Sequence, residues 1–321
     1  MRRAMNCIHP LVSILIPCYN AERWVAQAIE SALGQVWANK QIVVVDDGSK
    51  DGSLDVIRRY EKHLHWETGR NRGGGNARNR LLELARGEWI QYLDADDYLL
   101  ADKVAGQVSF INEHPDIDVV IGPTTMEFWS EVGVRRELLP IPEPHDFWAM
   151  LASWQLPQTG APLWRKSALL DVGGWKPDQP CCQEHELYLR LLTGGKKFAY
   201  HSSGGSIYRQ WSDQTVCKRD ISEVHRRRLE IERNLQKFLL ETDQLTPTRL
   251  RAISQARFEV ARIAWQYDPS VANEIMEEIG KIDPNFSPSG KAAPPHYRIA
   301  FRTFGFHFAE TLAAATRSLL R

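Results

Sequence analysis

The sequence predicts an α/β protein in which a mostly parallel sheet, flanked by helices, is followed by a helical C-terminal region. Short apolar segments alternate with stretches of helical periodicity over the first 122 residues. Beyond Asp220 the apolar residues recur only at helical spacing. Repeated strand and helix units form parallel sheets that helices cover on both faces. We therefore expect an α/β domain at residues 1–219 and a helical region at residues 220–321.

The first third of the chain contains the clearest strand and helix patterns. The apolar, β-branched segments that predict buried strands are residues 12–16, 41–45, 89–93 and 119–122. The helical segments that alternate with them are residues 24–33, 54–64 and 77–85. Asn20 is a candidate cap for the first of these helices. The order strand, helix, strand, helix supports the parallel sheet.

The remainder of the chain is less regular at first and then helical. Residues 123–211 contain a proline-rich connection, a Gly-Gly-Trp turn at Gly173 and a helix-like segment at residues 184–192. Thr246-Pro247 and Asp268-Pro269 each read as a cap followed by proline at the first helical position. A linker rich in proline, glycine and serine at residues 283–295 precedes a final helical segment.

Composition excludes several classes of function. The 321 residues include 40 basic and 40 acidic side chains, so no net charge favours nucleic acid. No apolar stretch is long enough for a membrane-spanning helix, and the basic start leads into a proline-interrupted strand rather than a signal peptide. Five cysteines without metal-ligand spacing indicate reduced thiols. We therefore expect a cytoplasmic protein without a nucleic-acid partner.

Polar clusters follow three of the predicted strands. They are Pro17-Cys18-Tyr19-Asn20, Asp46-Asp47-Gly48-Ser49 and Asp94-Ala95-Asp96-Asp97. Each cluster alone is also typical of a turn or a helix cap. Ligands of doubly wound sheets bind beyond the carboxyl ends of the strands, so three clusters on one edge favour a shared site. The crowded carboxylates favour a magnesium or manganese ion, and magnesium usually completes its shell with water and substrate phosphates.

In their order along the chain and in their residue types, these motifs resemble those of the family 2 glycosyltransferases, which have the GT-A fold. The matching segments are residues 12–20, 43–51, 71–73, 77–79 and 87–97. The resemblance implies an inverting, non-processive transfer of a sugar from a nucleoside-diphosphate sugar to a hydroxyl acceptor, a glycan or glycolipid. It also implies a Mg²⁺ or Mn²⁺ cofactor. Residues 1–122 would form the nucleotide-sugar-binding half and residues 123–219 the acceptor-binding half.

The resemblance also implies roles for individual residues of the donor site. Asp46 would accept a hydrogen bond from the nucleotide base, and Asp94 would hold the ribose hydroxyls. Asp96 would bind the metal that bridges the two phosphates, with Asp97 as a second ligand. Arg72 could add positive charge near the diphosphate, although it also reads as a solvated surface arginine. The residues expected to bind the donor are Pro17, Tyr19, Asn20, Asp46, Asp47, Asn71, Arg78, Asp94 and Asp96.

The catalytic base implied by the resemblance is Glu184. It stands after the Gly-Gly-Trp turn, where the family commonly has an aspartate at the start of a helix. Its alternative role is that of an acidic residue favoured by the helix dipole. The residues expected to contact the acceptor are Trp175, His185, Glu186 and Trp211. Glu186 has a structural contact as its alternative, and Trp211 has a place in the core.

Trp211 also stands where family members often have a histidine that ligates the metal, and an indole cannot do so. Either Asp96, phosphates and water complete the metal shell, or another group such as His185 or His201 substitutes.

The final segment has an apolar stripe. Its members are Tyr297, Phe301, Phe304, Phe308, Leu312, Ala315 and Leu319, with arginines elsewhere on the helix. A basic amphipathic helix of this kind can lie on a membrane surface and meet a lipid-linked acceptor. A terminal helix packed on its own domain gives the same pattern.

Two other functions fit parts of the sequence. A sugar-1-phosphate nucleotidyltransferase would share the architecture and the metal, but its glycine-rich basic loop is missing after the first strand. A degenerate transferase domain that recruits a partner through its helical tail is the alternative without enzymatic activity. The presence of Asp46, Asp94, Asp96 and Glu184 at expected site positions argues against it.

Overall fold

The computed structural model describes residues 9–211 and 220–319 of the chain. The described residues fall into two compact units. The first consists of Met1–His145 and Leu156–Arg219, and the second of Asp146–Gln155 and Asp220–Arg321. The first unit is an α/β domain, and the second is helical.

Two sheets form the framework of the first unit. The strands in chain order are β1 Val12–Cys18, β2 Lys40–Asp46, β3 His65–Thr68, β4 Trp89–Tyr92, β5 Tyr98–Leu99, β6 Val119–Ile121, β7 Thr124–Ser130, β8 Gly133–Leu138, β9 Pro162–Arg165, β10 Phe198–Tyr200 and β11 Ser206–Gln210. The larger sheet has the order β10-β6-β9-β4-β1-β2-β3, and the smaller one has the order β5-β11-β7-β8.

The larger sheet is mostly parallel, as the sequence predicts. β1 pairs in parallel with β2 and β4, and β2 pairs in parallel with β3. β9 is the exception, because it runs antiparallel to both β4 and β6. Ile14, Leu15 and Ile16 of β1 are fully buried, as expected for a central strand covered on both faces. The carboxyl ends of β1, β2 and β4 therefore meet at one edge of the sheet.

Helices cover the sheet and build the second unit. Those of the first unit are α1 Val25–Leu33, α2 Ser53–Arg58, α3 Gly74–Leu84, α4 Lys103–Glu113, α6 Lys166–Asp171 and α7 Gln183–Thr193. Those of the second unit are α5 Phe147–Ala152, α8 Ile221–Glu241, α9 Pro247–Ala264, α10 Pro269–Ile282 and α11 Pro295–Leu319. Thr246 and Asp268 cap α9 and α10 with proline next in the chain, which confirms both predicted starts.

Two details of the predicted organisation are wrong. Residues 146–155 were expected in the acceptor-binding half, but they belong to the helical unit. The reason is that Asp146 binds Arg249 at 2.9 Å and Trp148 stacks on Phe238. Asn20 does not cap α1, which begins only at Val25.

Helix α11 bends sharply at Gly305, where φ is 83° and ψ is −179°. Tyr297 on one side of the bend and Phe306 on the other are buried in the core of the second unit. Phe304, Phe308 and Leu312 are exposed. The single predicted stripe is thus divided between a buried and an exposed face. Among the described residues, no helix is long and apolar enough to cross a membrane.

Candidate active site

Asp46 ends β2 and lies beside Cys18, the last residue of β1. Its carboxylate accepts hydrogen bonds from the Thr68 hydroxyl at 2.6 Å and from the Ser49 backbone N–H at 3.3 Å. The Asp46 side chain is therefore held by the end of β3 and by the loop after β2. A carboxylate has lone pairs for further donors, so a ligand N–H remains an available partner.

Asp47 has a different environment from its neighbour. Its two carboxylate oxygens accept the backbone N–H groups of Arg72 and Gly73, each at 2.8 Å. The residue is 7% exposed. Its oxygens fix the loop before α3, and the expected direct contact of Asp47 with the donor stays a prediction. Asn71 and Arg72 are exposed on that loop.

The loop after β1 contains the other expected base-pocket residues. Tyr19 is 47% exposed, and Pro17 is half-buried. Asn20 adopts a left-handed conformation with φ of 49°, and its side-chain oxygen accepts the Lys50 N–H at 2.8 Å. Asn20 thus ties this loop to the loop after β2 and leaves the Tyr19 ring open to a ligand.

Arg78 connects two sides of the site. One guanidinium nitrogen donates to Asp94 at 2.7 Å, and another donates to Gln183 at 2.7 Å. Burial acts to lower the pKa of Arg78, but Asp94 and Glu184 nearby raise it, and the net pKa lies above that of a free arginine. Arg78 therefore stays charged between the ribose-binding candidate and the start of α7.

Gln183 is a site residue that sequence reasoning missed. The sequence feature that could have indicated Gln183 is its position directly before Glu184, at the start of the predicted helix. Its role depends on Arg78, which lies 105 residues earlier in the chain.

Two expected acceptor residues belong to the framework instead. Trp175 is 1% exposed, with its ring 4.9 Å from the Arg78 guanidinium carbon and 5.3 Å from the Tyr92 ring. Glu186 is 5% exposed and pairs with Arg190 at 2.7 Å. Both side chains are buried, and the acceptor role stays a prediction for each of them. Trp175 supports Arg78, and Glu186 balances charge inside α7, the structural alternative that its sequence position allowed.

Asp96 is hydrogen-bonded to Trp211, one of the residues that line an open cavity. The Trp211 indole N–H donates to Asp96 Oδ2 at 3.0 Å, and Trp211 is 39% exposed. Burial and the nearby Asp94 charge raise the pKa of Asp96. The cavity is open and has a volume of about 430 Å³. Its lining consists of Asn20, Ala21, Glu22, Arg23, Trp24, Asp51 and Trp211.

Asp97 is turned into the fold. It is 1% exposed, and its Oδ1 accepts the Arg209 N–H at 2.8 Å. Burial, followed by the charges of Asp96 and Asp94, raises the pKa of Asp97 well above its usual range. The Asp97 carboxylate is therefore shielded from solvent, and its expected metal role stays a prediction.

Arg209 is a second residue whose role the sequence did not reveal. Its guanidinium donates to the Asp96 carbonyl at 2.5 Å and to Gln27 at 2.7 Å, and it lies 4.1 Å from the Trp24 ring. Arg209 therefore holds the backbone that presents Asp96. The available signal was its position in the Tyr208-Arg209 pair of β11.

Glu184 lies in the first turn of α7 and is half-buried. Its Oε1 accepts the hydroxyl of Thr159 at 2.5 Å. His185 is half-buried beside it, with its ring edge-on to Tyr188. The carboxylate thus lies next to Gln183, on the side of the site opposite Asp94 across Arg78.

Comparison with known proteins agrees with this geometry. Residues 13–163, which include β2 to β8 and all but the first residue of β1, match the family model described as "Glycosyl transferase family 2". Over this segment, slightly less than half of its length, the chain is similar to glycosyl transferase family 2. A putative glycosyltransferase of Bacillus subtilis, EpsE, is 29% identical over 219 residues, which cover 65% of this chain and 76% of EpsE. Three other curated relatives, all uncharacterized glycosyltransferases, align with this chain over 36% to 42% of their own length.

Solved structures resemble the chain over nearly its whole length. TarS residues 1–349 from S. aureus, in complex with UDP-GlcNAc, superpose with a TM-score of 0.68 at 17% identity, covering 96% of this chain and 91% of TarS. A Pyrobaculum calidifontis mannosyltransferase in complex with GDP-Man and Mn²⁺ gives 0.51 at 18% identity, covering 97% and 87%. At such identities the likeness shows the fold alone, and it confirms the expected GT-A fold.

The acidic cluster Asp94-Ala95-Asp96-Asp97 fits a divalent cation that water and substrate phosphates would hold for the most part. Within residues 9–211 and 220–319, no three His, Cys, Asp or Glu side chains converge as a complete metal site. His201 stacks on Phe110, 4.9 Å between ring centroids, and binds Ser203, so nothing supports it as a substitute ligand. Asp96 is the accessible carboxylate, and magnesium commonly uses only one or two such ligands.

Proposed function

We propose that the protein is an inverting, non-processive glycosyltransferase that moves one sugar from a nucleoside-diphosphate sugar to a hydroxyl acceptor. The observation that carries this proposal is the Arg78 bridge. It joins Asp94, the candidate ribose ligand, to Gln183, the residue before the candidate base Glu184. A transferase needs its donor site and its base on opposite sides of one sugar.

The donor would occupy the edge formed by β1, β2 and β4. Tyr19 and Pro17 would flank the base, Asp46 would accept its N–H, and Asp94 would bind the ribose hydroxyls. A carboxylate suits both tasks because it offers strong acceptors and no donor. The complexes of TarS with UDP-GlcNAc and of the mannosyltransferase with GDP-Man support a nucleotide sugar as the donor class.

Asp96 would hold a Mg²⁺ or Mn²⁺ ion against the diphosphate. When bound, the ion supplies Lewis-acid stabilisation of the charge on the leaving nucleoside diphosphate. Arg209 and Trp211 hold the Asp96 backbone and carboxylate through the contacts described above. The Mn²⁺ in the mannosyltransferase complex supports this choice of cation.

Glu184 would act as the general base. Its carboxylate takes the proton of the acceptor hydroxyl while the acceptor oxygen forms a bond to the anomeric carbon. The bond from that carbon to the diphosphate oxygen breaks, and its electron pair leaves with the nucleoside diphosphate. The single displacement inverts the anomeric configuration. His185 and Trp211 are the accessible expected acceptor residues, and an exposed indole suits the apolar face of a sugar ring.

A screen of nucleotide sugars tests this function. Calorimetry and mass spectrometry with Mg²⁺ and Mn²⁺ should detect one donor class that binds and is slowly hydrolysed. Asp96→Ala should abolish the metal-dependent part of donor binding. Asp116→Ala is the matched control, because Asp116 is exposed and pairs with the surface residue Lys197.

Two outcomes would contradict the proposal. Release of pyrophosphate from a nucleoside triphosphate and a sugar phosphate would indicate a nucleotidyltransferase. A folded protein that binds no nucleotide with either metal would indicate a degenerate domain that works through binding alone.

We also propose that α11 contacts an anionic membrane surface, where a lipid-linked acceptor would be found. Phe304 just before the bend and Phe308 beyond it pack against each other and are 63% and 45% exposed. Arg298 and Arg302 are exposed on the preceding half. The one acidic residue of α11, Glu310, is fully buried against Arg262. An exposed apolar face on a helix that also exposes arginines suits anionic lipid headgroups. A cytoplasmic location remains a prediction that agrees with this contact.

Vesicle sedimentation tests the membrane contact. The protein should sediment with vesicles of phosphatidylcholine and phosphatidylglycerol and far less with phosphatidylcholine alone. Combined Phe304→Ser, Phe308→Ser and Leu312→Ser substitutions should abolish sedimentation. Equal behaviour of wild type and variant would refute the contact. Self-association that the same substitutions remove would identify the face as an interface between copies.

A further inference from the structure

Thr159 presents a buried hydroxyl to the candidate base. The residue is fully buried, and its Oγ1 donates to Glu184 Oε1 at 2.5 Å. It lies in the connection between α5 and β9, 25 residues before Glu184. Hydrogen bonds to a charged carboxylate are among the stronger ones in proteins.

The backbone around Thr159 is fixed on both sides. The Tyr188 hydroxyl donates to the Pro157 carbonyl at 2.9 Å, and the Gln91 side chain donates to the Gly160 carbonyl at 2.9 Å. Tyr188 belongs to α7, the helix that also carries Glu184, and Gln91 belongs to β4. The hydroxyl is therefore held by both the helix of the base and the strand of the donor site.

A glutamate requires such a fixed partner more than an aspartate does. Its side chain has one more methylene and one more rotatable bond, so more rotamers compete with the reactive one. A fixed donor on Oε1 selects one rotamer and leaves Oε2 to receive the acceptor proton. Misplacement of a reacting group by about 1 Å can cost on the order of 100-fold in rate.

We propose that Thr159 is a positioning residue for the Glu184 base, which compensates for the longer arm of glutamate. The inference rests on the proposed function, because it assumes that Glu184 takes the acceptor proton. It predicts an effect on the transfer step and none on donor binding, since Thr159 contacts the base and not the nucleotide edge.

Thr159→Val tests the hydroxyl with little change in volume. We expect kcat to fall roughly 10-fold to 100-fold, while the donor Kd and acceptor KM stay within about twofold. Thr159→Ser should restore most of kcat, because serine keeps the donor group. If Thr159→Val fails to fold, Thr159→Ala against Thr159→Ser gives the same comparison. An unchanged kcat in the folded variant, or a loss in Thr159→Ser equal to that in Thr159→Val, would overturn the proposal.

A double-mutant cycle separates positioning from general disruption. Glu184→Asp shortens the arm beyond reach of Thr159, so adding Thr159→Val should cause no further loss of kcat. Equal losses from Thr159→Val in both backgrounds would show that Thr159 acts independently of Glu184 and would contradict the inference.

Glu184→Gln distinguishes the two levels of the proposal. If it transfers at the wild-type rate, Glu184 is not the base and the proposed function fails at that residue. If it is inactive while Thr159→Val is fully active, only the role of Thr159 is refuted.

Discussion

Arg78 shows most clearly how one side chain joins distant parts of the site. Its guanidinium is nearly buried, stacks near Trp175 and divides its hydrogen bonds between Asp94 and Gln183. Arginine suits this position because its planar fork donates in two directions and remains charged. The sequence indicated Arg78 as a donor-site residue, but its bond to Gln183 depends on how the fold brings α3 and α7 together.

Arg78→Gln should therefore destabilise the protein markedly. Removal of one partner from a buried ion pair leaves the other charge uncompensated and costs about 3 kcal/mol or more in the free energy of unfolding. Arg80→Gln is the control on the same helix, because its pairs with Glu67 and Glu83 are at the surface and contribute about 1 kcal/mol or less. Urea denaturation of both variants measures the difference. Equal losses would show that burial of Arg78 does not matter.

His225 in α8 links stability to pH. It is 6% exposed, its Nδ1 lies 3.0 Å from the Tyr267 hydroxyl, and burial lowers its pKa below 6.5. As pH falls below 6.5, the unfolded chain gains the proton before the folded one, so this group's contribution to stability is lost. Thermal unfolding of His225→Asn should depend less on pH between 7.5 and 5.5 than wild type. The exposed His296→Asn should not change that dependence. If the thermal unfolding of His225→Asn depends on pH as strongly as that of wild type, this reasoning is contradicted.

At the scale of elements, the sequence predicts features that neighbouring residues determine and misses those that depend on contacts between distant residues. The starts of α9 and α10 followed from a capping residue and a proline within two positions. The assignment of α5 failed because its partners, Arg249 and Phe238, lie some 90 to 103 residues away. The spacing of the apolar residues in α11 does not predict the bend at Gly305, because a glycine inside a helix often leaves the helix straight.

Gly305→Ala should destabilise the second unit. Its φ of 83° with ψ of −179° is a conformation that side chains other than hydrogen rarely adopt, at a cost of about 1–3 kcal/mol. Gly280→Ala is the matched control, because Gly280 lies in α10 with open space around its missing Cβ. That change should stabilise the protein by about 0.5–1 kcal/mol. Opposite signs in chemical denaturation are expected, and a destabilising Gly280→Ala would contradict the assignment.

At the scale of the whole molecule, parallel topology explains why much of the site was predictable. Strand ends of one parallel sheet meet at one edge, so Asp46, Asp94 and Asp96 could be grouped from strand patterns alone. Whether a given carboxylate is open depends on segments far along the chain. Asp47 accepts a backbone N–H from a loop 25 residues later in the chain. Asp97 accepts the backbone N–H of Arg209, which lies 112 residues later. Those pairings have no local pattern, so the sequence does not reveal that the fold engages both carboxylates.

The central claim is that Glu184 removes the acceptor proton beside an intact donor site. The most direct test is to measure donor binding and sugar transfer for Glu184→Gln in parallel with wild type. Donor Kd should stay within about twofold, while the transfer rate falls on the order of 100-fold to 10,000-fold, the usual contribution of a general base. Transfer at the wild-type rate by this variant would contradict the claim.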